Sequence, residues 1–326
     1  MAEAPPAASD RLTQDYDLLR DSSAIVELPP LAVIELSGED RKGWLQGQAT
    51  NDVRQLDLGA STRFCICEPT GQIIAICEIW SLKDRFILTC PRAVADAVLQ
   101  RVEAMVVMED VSARDLTAEF ELISVQGPQA TRSLGEHLSL PLLDAAETEF
   151  EKAPVLTLRS DRTGSGGWDL LIPASGRKAQ AALRKAFTAV SLEVYLVARL
   201  EAGVPLHDID YSAKTLPPEL GAAFEASHVD YRKGCYTGQE ILMRLHSRGH
   251  TNRTWMGLRA EAPLEVGAAV RHAGNDVGTV TSAGFSPDFG YIGAAMLRNA
   301  AAVERESVDA AGVSAEVRRM PLLRFD

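Results

Sequence analysis

The sequence predicts an α+β body followed by a separate all-β module, and three observations carry that reading. Strand-like and helix-like patterns mix through residues 21–253 without the strict alternation of a doubly wound sheet. From Trp255 onward the texture changes to short apolar runs (WMGL, AAVRH, VGTVTSAGFS, GYIGAAML, VSAEVRR) separated by Gly, Asn and Asp turns. This is the signature of an all-β unit over residues 254–326. Finally, the chain has no G-x-G-x-x-G after a strand, no Walker-type loop, no H-E-x-x-H and no G-x-S-x-G. Nucleotide binding, zinc proteolysis and the hydrolase elbow thereby lose their sequence support.

The elements follow in order. The Ala/Pro-rich start up to about Ser9 reads as a disordered tail, with residues 1–20 as a whole expected outside the folded body. Residues 31–40 (LAVIELSGED) read as a strand entering a turn at Gly38, and residues 40–53 as a short helix with Trp44, Leu45 and Gln48 near one face. The runs FCIC and IIAICEIW, with Glu68-Pro69-Thr70-Gly71 lying between them, signal a hairpin. A strand over residues 86–89 follows it. Residues 91–105 read as a helix, with Pro91 at its start and Val94, Ala97, Val98, Leu99 and Val102 at helical spacing. Residues 120–125 form a strand closed by Gly127-Pro128, and residues 168–172 another after the glycine-rich loop 163–168. Two helices are expected next, a basic one over 176–190 and a second over 192–202 that stops at Gly203-Val204-Pro205.

Composition bounds the function. The 326 residues are 46% hydrophobic and 24% charged and carry a net charge of −12, enough chain for a core that needs no disulfide or metal. An acidic chain is unsuited to coating nucleic acid, which takes a basic face, so no stable nucleic-acid binding is expected. The first twenty residues lack a signal-peptide core and transit-peptide character, and no stretch of apolar residues is long enough to span a membrane. A cytoplasmic monomer is expected, since no heptad or long exposed apolar edge is evident.

Five cysteines occur, Cys65, Cys67, Cys77, Cys90 and Cys235, none in a C-x-x-C pair. The first four lie within apolar strand runs and read as core, with Cys65 and Cys67 on one strand face. Cys235 is different: it sits in Lys233-Gly234-Cys235-Tyr236-Thr237-Gly238-Gln239-Glu240. Thr237 and Glu240 have capping-box spacing, so a helix is expected from about Gly238 with Cys235 just ahead of its positive end. Lys233 adds a neighbouring cation, and both features favour the reactive thiolate. Gly234 permits close backbone approach. A small buried hydrophobe in a tight turn is the plain alternative. Arg232, Lys233, Arg244, Arg248 and Arg253 make this segment basic, either a solvated face or a pocket for an anionic small ligand. His246 and His250 are split by Gly249 and read as polar surface or an anion contact; no metal is expected. Arg199 and Glu201 lie at a helix end, where a carboxylate is either solvated or able to hold a heteroaromatic amide-amidine edge by two hydrogen bonds. Trp168 and Tyr195 are core residues or a stacking wall.

Three blocks carry a family resemblance: Gly38-Glu-Asp-Arg41 with residues 45–48 (L-Q-G-Q, including Gln46) and residues 50–53 (T-N-D-V, including Asn51 and Asp52); Arg199-Leu-Glu-Ala-Gly203 with Pro205 and the L-P-P-E of residues 216–219; and K-G-C-Y-T-G-Q-E with Arg244, Gly249 and Arg253. In these the chain resembles the YgfZ-type folate-binding proteins, relatives of the glycine-cleavage T-protein (aminomethyltransferase) that are linked to iron–sulfur cluster assembly and repair and to tRNA modification. The resemblance implies a T-protein-like two-lobed folate-binding body over 21–253 and a C-terminal antiparallel β-barrel. It implies tetrahydrofolate as ligand, with Glu201 holding the pterin, the basic residues after Cys235 meeting the glutamate tail, and iron–sulfur client or assembly proteins as partners. Aminomethyltransferases carry an acidic pair after the hairpin glycine; here Ala75-Ile76 stands in its place. A folate-dependent accessory factor acting through Cys235 is therefore expected, not a classical aminomethyltransferase. Two other functions stay open: a one-carbon transferase with its acid moved to Glu68, Glu78 or Asp52, and a folate-sensing module in which Cys235 is structural.

Overall fold

The structure, a computed structural model, describes residues 10–322. The tail expected over residues 1–9 and the last residues of the β module, 323–326, lie outside them. Residues 10–20 are not a tail. Helix α1 (Asp10–Asp21) buries Tyr16 and Leu19, because residues three apart share one helix face and here both are apolar. The chain continues through β1 (Ala24–Val26), β2 (Leu31–Ser37), α2 (Arg41–Gln46), β3 (Ser61–Cys67), β4 (Ile73–Ser81), β5 (Arg85–Pro91), α3 (Ala95–Met105), β6 (Ser112–Asp115) and β7 (Phe120–Gln126). It then forms α4 (Ala130–Gly135), β8 (Ala145–Phe150), β9 (Ala153–Arg159), β10 (Gly167–Pro173), α5 (Arg177–Ala186), β11 (Ala189–Val190), α6 (Leu192–Glu201), α7 (Ala222–His228) and α8 (Gln239–Arg248). The β module follows as β12 (Arg253–Ala260), β13 (Ala269–His272), β14 (Asn275–Ser286), β15 (Gly290–Arg298), β16 (Ser307–Ala310) and β17 (Val313–Arg318).

Two sheets and a barrel result. One lobe is a five-stranded antiparallel sheet, β3-β4-β5-β2-β6. The other is a six-stranded sheet, β11-β1-β7-β10-β9-β8, antiparallel except where β1 meets β11. The chain thus begins in the second lobe, crosses to the first and returns. The module from residue 253 is a closed six-stranded antiparallel barrel, which leaves no sheet edge unpaired. The expected α+β fold class holds, with its two-lobed body and C-terminal barrel.

Alternation along the strands divides the core. Phe64 and Ile66 of β3 pack with α2 and α3 residues such as Leu45 and Val98 inside the first lobe. Cys65 and Cys67, on the opposite face as expected, join a central cluster with Tyr16, Tyr195 and Trp255 that binds both lobes to the barrel. Burial pushes the Cys65 thiol well up and that of Cys67 to about 12, so these thiols behave as core. Each fully buried Leu, Ile or Phe in such clusters contributes about 1.5–3 kcal/mol. Among the described residues no helix is long and apolar enough to cross a membrane.

Several boundaries differ from those expected. The helix expected over 176–190 ends at Ala186, and residues 189–190 instead pair with β1. The helix over 40–53 is only Arg41–Gln46, because the chain turns back at Gly47 to bridge Ala49 to Ile66. Pro91 closes β5, and α3 starts only at Ala95. The capping box does not form: Gly238, in the left-handed region, is the N-cap of α8 with no side-chain cap.

Candidate functional site

A cavity of about 890 Å³ lies where the two lobes meet the segment after α6. The β1–β2 connection, β4, the 161–162 loop, α6, residues 202–211, α7 and the Met320-Pro321 step wall it. Most of the lining is apolar, including Ile76, Leu196, Leu220 and Phe224.

One wall is charged. Arg63 and Glu78 face each other across the β3–β4 hairpin, and Arg63 Nε donates to Glu78 Oε1 at 3.2 Å. Ser160 Oγ donates to Glu78 Oε2 at 2.6 Å. Arg162 lies 3.9 Å from the same oxygen and grips the fully buried Asp169 with Nε and Nη2. Cation and anion thus alternate along the row Arg63, Glu78, Arg162, Asp169. His228 closes another side. Its ring stacks on Phe224 with centroids 3.8 Å apart, and Nδ1 bonds the Phe224 carbonyl at 3.0 Å. Burial, with Arg63 nearby, pushes His228 down to about 3, so the ring is neutral. Burial also raises the hydroxyl of Tyr195, which lines the cavity.

Of the six residues expected to hold folate, Tyr195 alone lines this cavity. Glu201 is wholly buried, but its carboxylate accepts the Tyr16 hydroxyl from α1 at 2.9 and 3.0 Å. Arg199 is spent on Asp210, on the Val204 carbonyl and on Ser282 of the barrel. Trp168 is core: its indole N–H donates to Thr131 Oγ1 at 2.9 Å and the Arg159 guanidinium covers its ring. Arg244 is exposed on α8, and Arg253 pairs with Glu219 at 2.9 Å. Among the described residues the basic segment is not one pocket: Lys233 is buried, Arg232 and Arg244 are exposed, and Arg253 is paired, while the Arg248 side chain lies outside the described residues.

The K-G-C-Y-T-G-Q-E segment is built rigidly. Lys233 is not a free cation beside the thiol. Its Nζ donates to the carbonyls of Gln46 and Asn51 at 2.8 and 2.9 Å and to that of Ala49, using all three protons where α2 ends. Burial lowers the amine to about 8. Tyr236 is buried beneath that ammonium. Thr237 donates its amide to the Gly47 carbonyl at 3.0 Å, and the Gln239 side chain reaches the Gly234 carbonyl at 3.5 Å. Gly234 has open space around it, and Glu240 is exposed. Cys235 is exposed, in contrast to the other four cysteines. Gln46 accepts from the Val53 amide, Asn51 donates to the carbonyls of Arg63 and Ser227, and Asp52 accepts from the Arg54 amide. All three shape the turn that cages Lys233. His246 stacks on Tyr231 with centroids 3.8 Å apart.

Two further placements bear on chemistry. Ala75 is buried in the first-lobe core, whereas Ile76 faces the cavity. Of the three carboxylates considered as displaced acids, Glu78 lines the cavity; Glu68 and Asp52 do not. Sequence reasoning passed over Arg63, Arg162, Tyr211 and His228, all of which line it. Arg63 stands opposite Glu78 only because the register shifts by a β-bulge between Ile66 and Cys67, which the spacing of the two runs does not encode.

The model of the GCVT N-terminal domain family matches residues 4–228, and that of the glycine cleavage T-protein C-terminal barrel domain matches residues 253–325. An aminomethyltransferase of Parafrankia sp. (strain EAN1pec) is 26% identical over 314 residues, covering 91% of this chain and 84% of that protein. A tRNA-modifying protein YgfZ of Enterobacter sp. (strain 638) is 27% identical over 255 residues, covering 78% of this chain and 75% of that one. A crystal structure of the glycine cleavage system aminomethyltransferase T from Bartonella henselae superposes with a TM-score of 0.85 at 23% identity, covering 95% of this chain and 89% of that one.

Proposed function

Since the chain belongs to the glycine-cleavage T-protein family, we propose that its central cavity binds tetrahydrofolate and that the protein supports assembly or repair of iron–sulfur enzymes through the Cys235 thiol. The cavity carries the folate half of this reading. Its volume suits a drug-sized ligand, and its apolar walls with a few fixed polar groups suit a flat heteroaromatic ring. Ile76 presents hydrocarbon to the ligand where a classical aminomethyltransferase would place acid, which favours binding over glycine cleavage.

Cys235 carries the other half. It is an exposed thiol on a loop clamped by a buried lysine, and accessibility is what thiol chemistry or transient iron ligation needs. A single thiolate cannot complete a cluster site, which takes four, so a transient contact with a client is the form proposed. The Enterobacter relative is named a tRNA-modifying protein, and a link of this chain to tRNA modification is part of the same reading. In a strain lacking this protein, Cys235→Ala is expected to bind tetrahydrofolate as wild type does yet leave cluster-enzyme activity unrescued. Full rescue by that variant removes the thiol role, and absence of tetrahydrofolate binding to wild type removes the folate role.

One-carbon transfer is a second reading, favoured by Glu78 lining the cavity. Transfer of a methyl or formaldehyde unit to tetrahydrofolate by the purified protein is its direct assay.

A further inference from the structure

His228 presents the cavity with one bare ring nitrogen. Taking the cavity as the folate site, we propose that His228 Nε2 accepts a hydrogen bond from a pyrazine-ring N–H of the ligand, and that this makes the cavity select the reduced, tetrahydro state over the fully oxidised one.

The backbone fixes the tautomer. Nδ1 lies 3.0 Å from the Phe224 carbonyl oxygen, which can only accept, so Nδ1 carries the proton. Ser227 Oγ, 2.8 Å from the same nitrogen, has its own acceptors in the Ala223 and Phe224 carbonyls. Burial keeps the ring neutral, so it holds a single N–H and Nε2 is left as a lone pair. Among the described residues no donor reaches Nε2, and that nitrogen is not sealed off from the cavity that His228 lines. The acceptor is also held still before any ligand arrives. The His228 carbonyl accepts from Thr50 Oγ1 at 2.6 Å, and the ring stacks on Phe224.

The surroundings of Nε2 choose the ligand atom. Its neighbours on the cavity face of α7 include Ala223 and Phe224, so it is a single acceptor on a largely apolar wall. A pyrimidinone edge sets adjacent donors side by side and matches the two oxygens of a carboxylate. A reduced pyrazine ring instead carries two separate N–H groups, each of which matches one acceptor. In the fully oxidised ring those nitrogens have lost their hydrogens and present lone pairs. Lone pair then faces lone pair, and Nε2 is left buried under the ligand without a donor. Protonation of the imidazole offers no escape, because burial and the nearby Arg63 hold it down to about 3.

The test is anaerobic calorimetric titration of the full chain with tetrahydrofolate and with folic acid. Wild type is expected to prefer tetrahydrofolate by about tenfold or more, the scale of one buried hydrogen bond made or left unmade. His228→Phe keeps a flat ring against Phe224 but has no acceptor, and is expected to lose that preference. The difference in shape between the puckered and planar rings is the same for both proteins, so the comparison isolates the nitrogen. If the phenylalanine variant fails to fold, wild type alone decides. The 5-deaza and 8-deaza analogues of tetrahydrofolate each replace one ring N–H by CH₂, and one of the two is expected to bind about tenfold more weakly than tetrahydrofolate. Equal affinity of wild type for tetrahydrofolate and folic acid, an unchanged preference in folded His228→Phe, or undiminished binding of both deaza analogues overturns the assignment while leaving folate binding intact. Failure of wild type to bind any of these pteridines overturns the folate reading and this assignment with it.

Discussion

Glu201 shows how much the fold asks of one side chain. Its two oxygens and Asp288 Oδ2 all lie within 3.0 Å of a single hydroxyl, that of Tyr16, which has one proton to give. Burial raises the Glu201 carboxyl above its ordinary value, opposed by hydrogen bonds from Ser286 and Tyr16 and by Arg20, while Asp288 adds to the rise. A carboxyl raised by folding binds its proton more tightly in the native state than in the unfolded one. Its contribution is therefore complete below the unfolded value of 4.5 and is lost as the pH rises through the folded value. Stability is expected to fall on this account from about pH 4.5 toward neutrality. Glu201→Gln is expected to flatten that part of the profile, and denaturation midpoints of the two proteins across the range decide it. Lys233 makes the companion point. A lysine beside a cysteine reads in sequence as thiolate support, but its protons answer to backbone carbonyls far away in the chain.

At the scale of elements, the turn into α8 depends on Gly238. Its φ is +86°, and a Cβ there would stand 2.8 Å from the Glu68 carbonyl oxygen. The glycine is required because the turn packs directly on the β3–β4 hairpin loop. Gly238→Ala is expected to cost about 1–3 kcal/mol in chemical denaturation from the left-handed conformation and the close approach, and to mobilise the Cys235 loop next to it. A loss below about 0.5 kcal/mol, the level of an ordinary surface substitution, contradicts this account. The segment was legible as important, but its mechanism was not. Thr237 and Glu240 have cap spacing, yet the positive φ of Gly238 starts the helix without them. The β3–β4 hairpin was legible because strand patterning and a turn are both local. Helix α1 and the short β1–β11 pair were not, since what holds them is contact with residues more than 150 positions away.

Across the whole molecule, Asp210 is the clasp. Oδ2 accepts from the Leu206 amide and from Arg199 of α6, and Oδ1 accepts from Thr281 and Ser282 of the barrel at 2.7 Å each. One buried carboxylate thus joins the body, the cavity-lining segment and the barrel. Asp210→Ala strands the buried Arg199 charge and is expected to cost about 3–5 kcal/mol, the scale for breaking a buried ion pair. Thermal denaturation checks it, and a change within about 1 kcal/mol contradicts it.

The sequence by itself determined the α+β class, the all-β C-terminal module, the core cysteines and the one cysteine set apart, because hydrophobic period, turn residues and motif spacing are properties of neighbours in the chain. Only the tertiary structure decided which polar groups face the cavity. Arg63, Glu78 and Arg162 meet there through hairpin register and the approach of the second lobe, while Glu201 is claimed by α1. The physical reason is that a buried polar side chain takes the partner that three-dimensional packing brings within hydrogen-bond reach, and sequence spacing does not encode that partner.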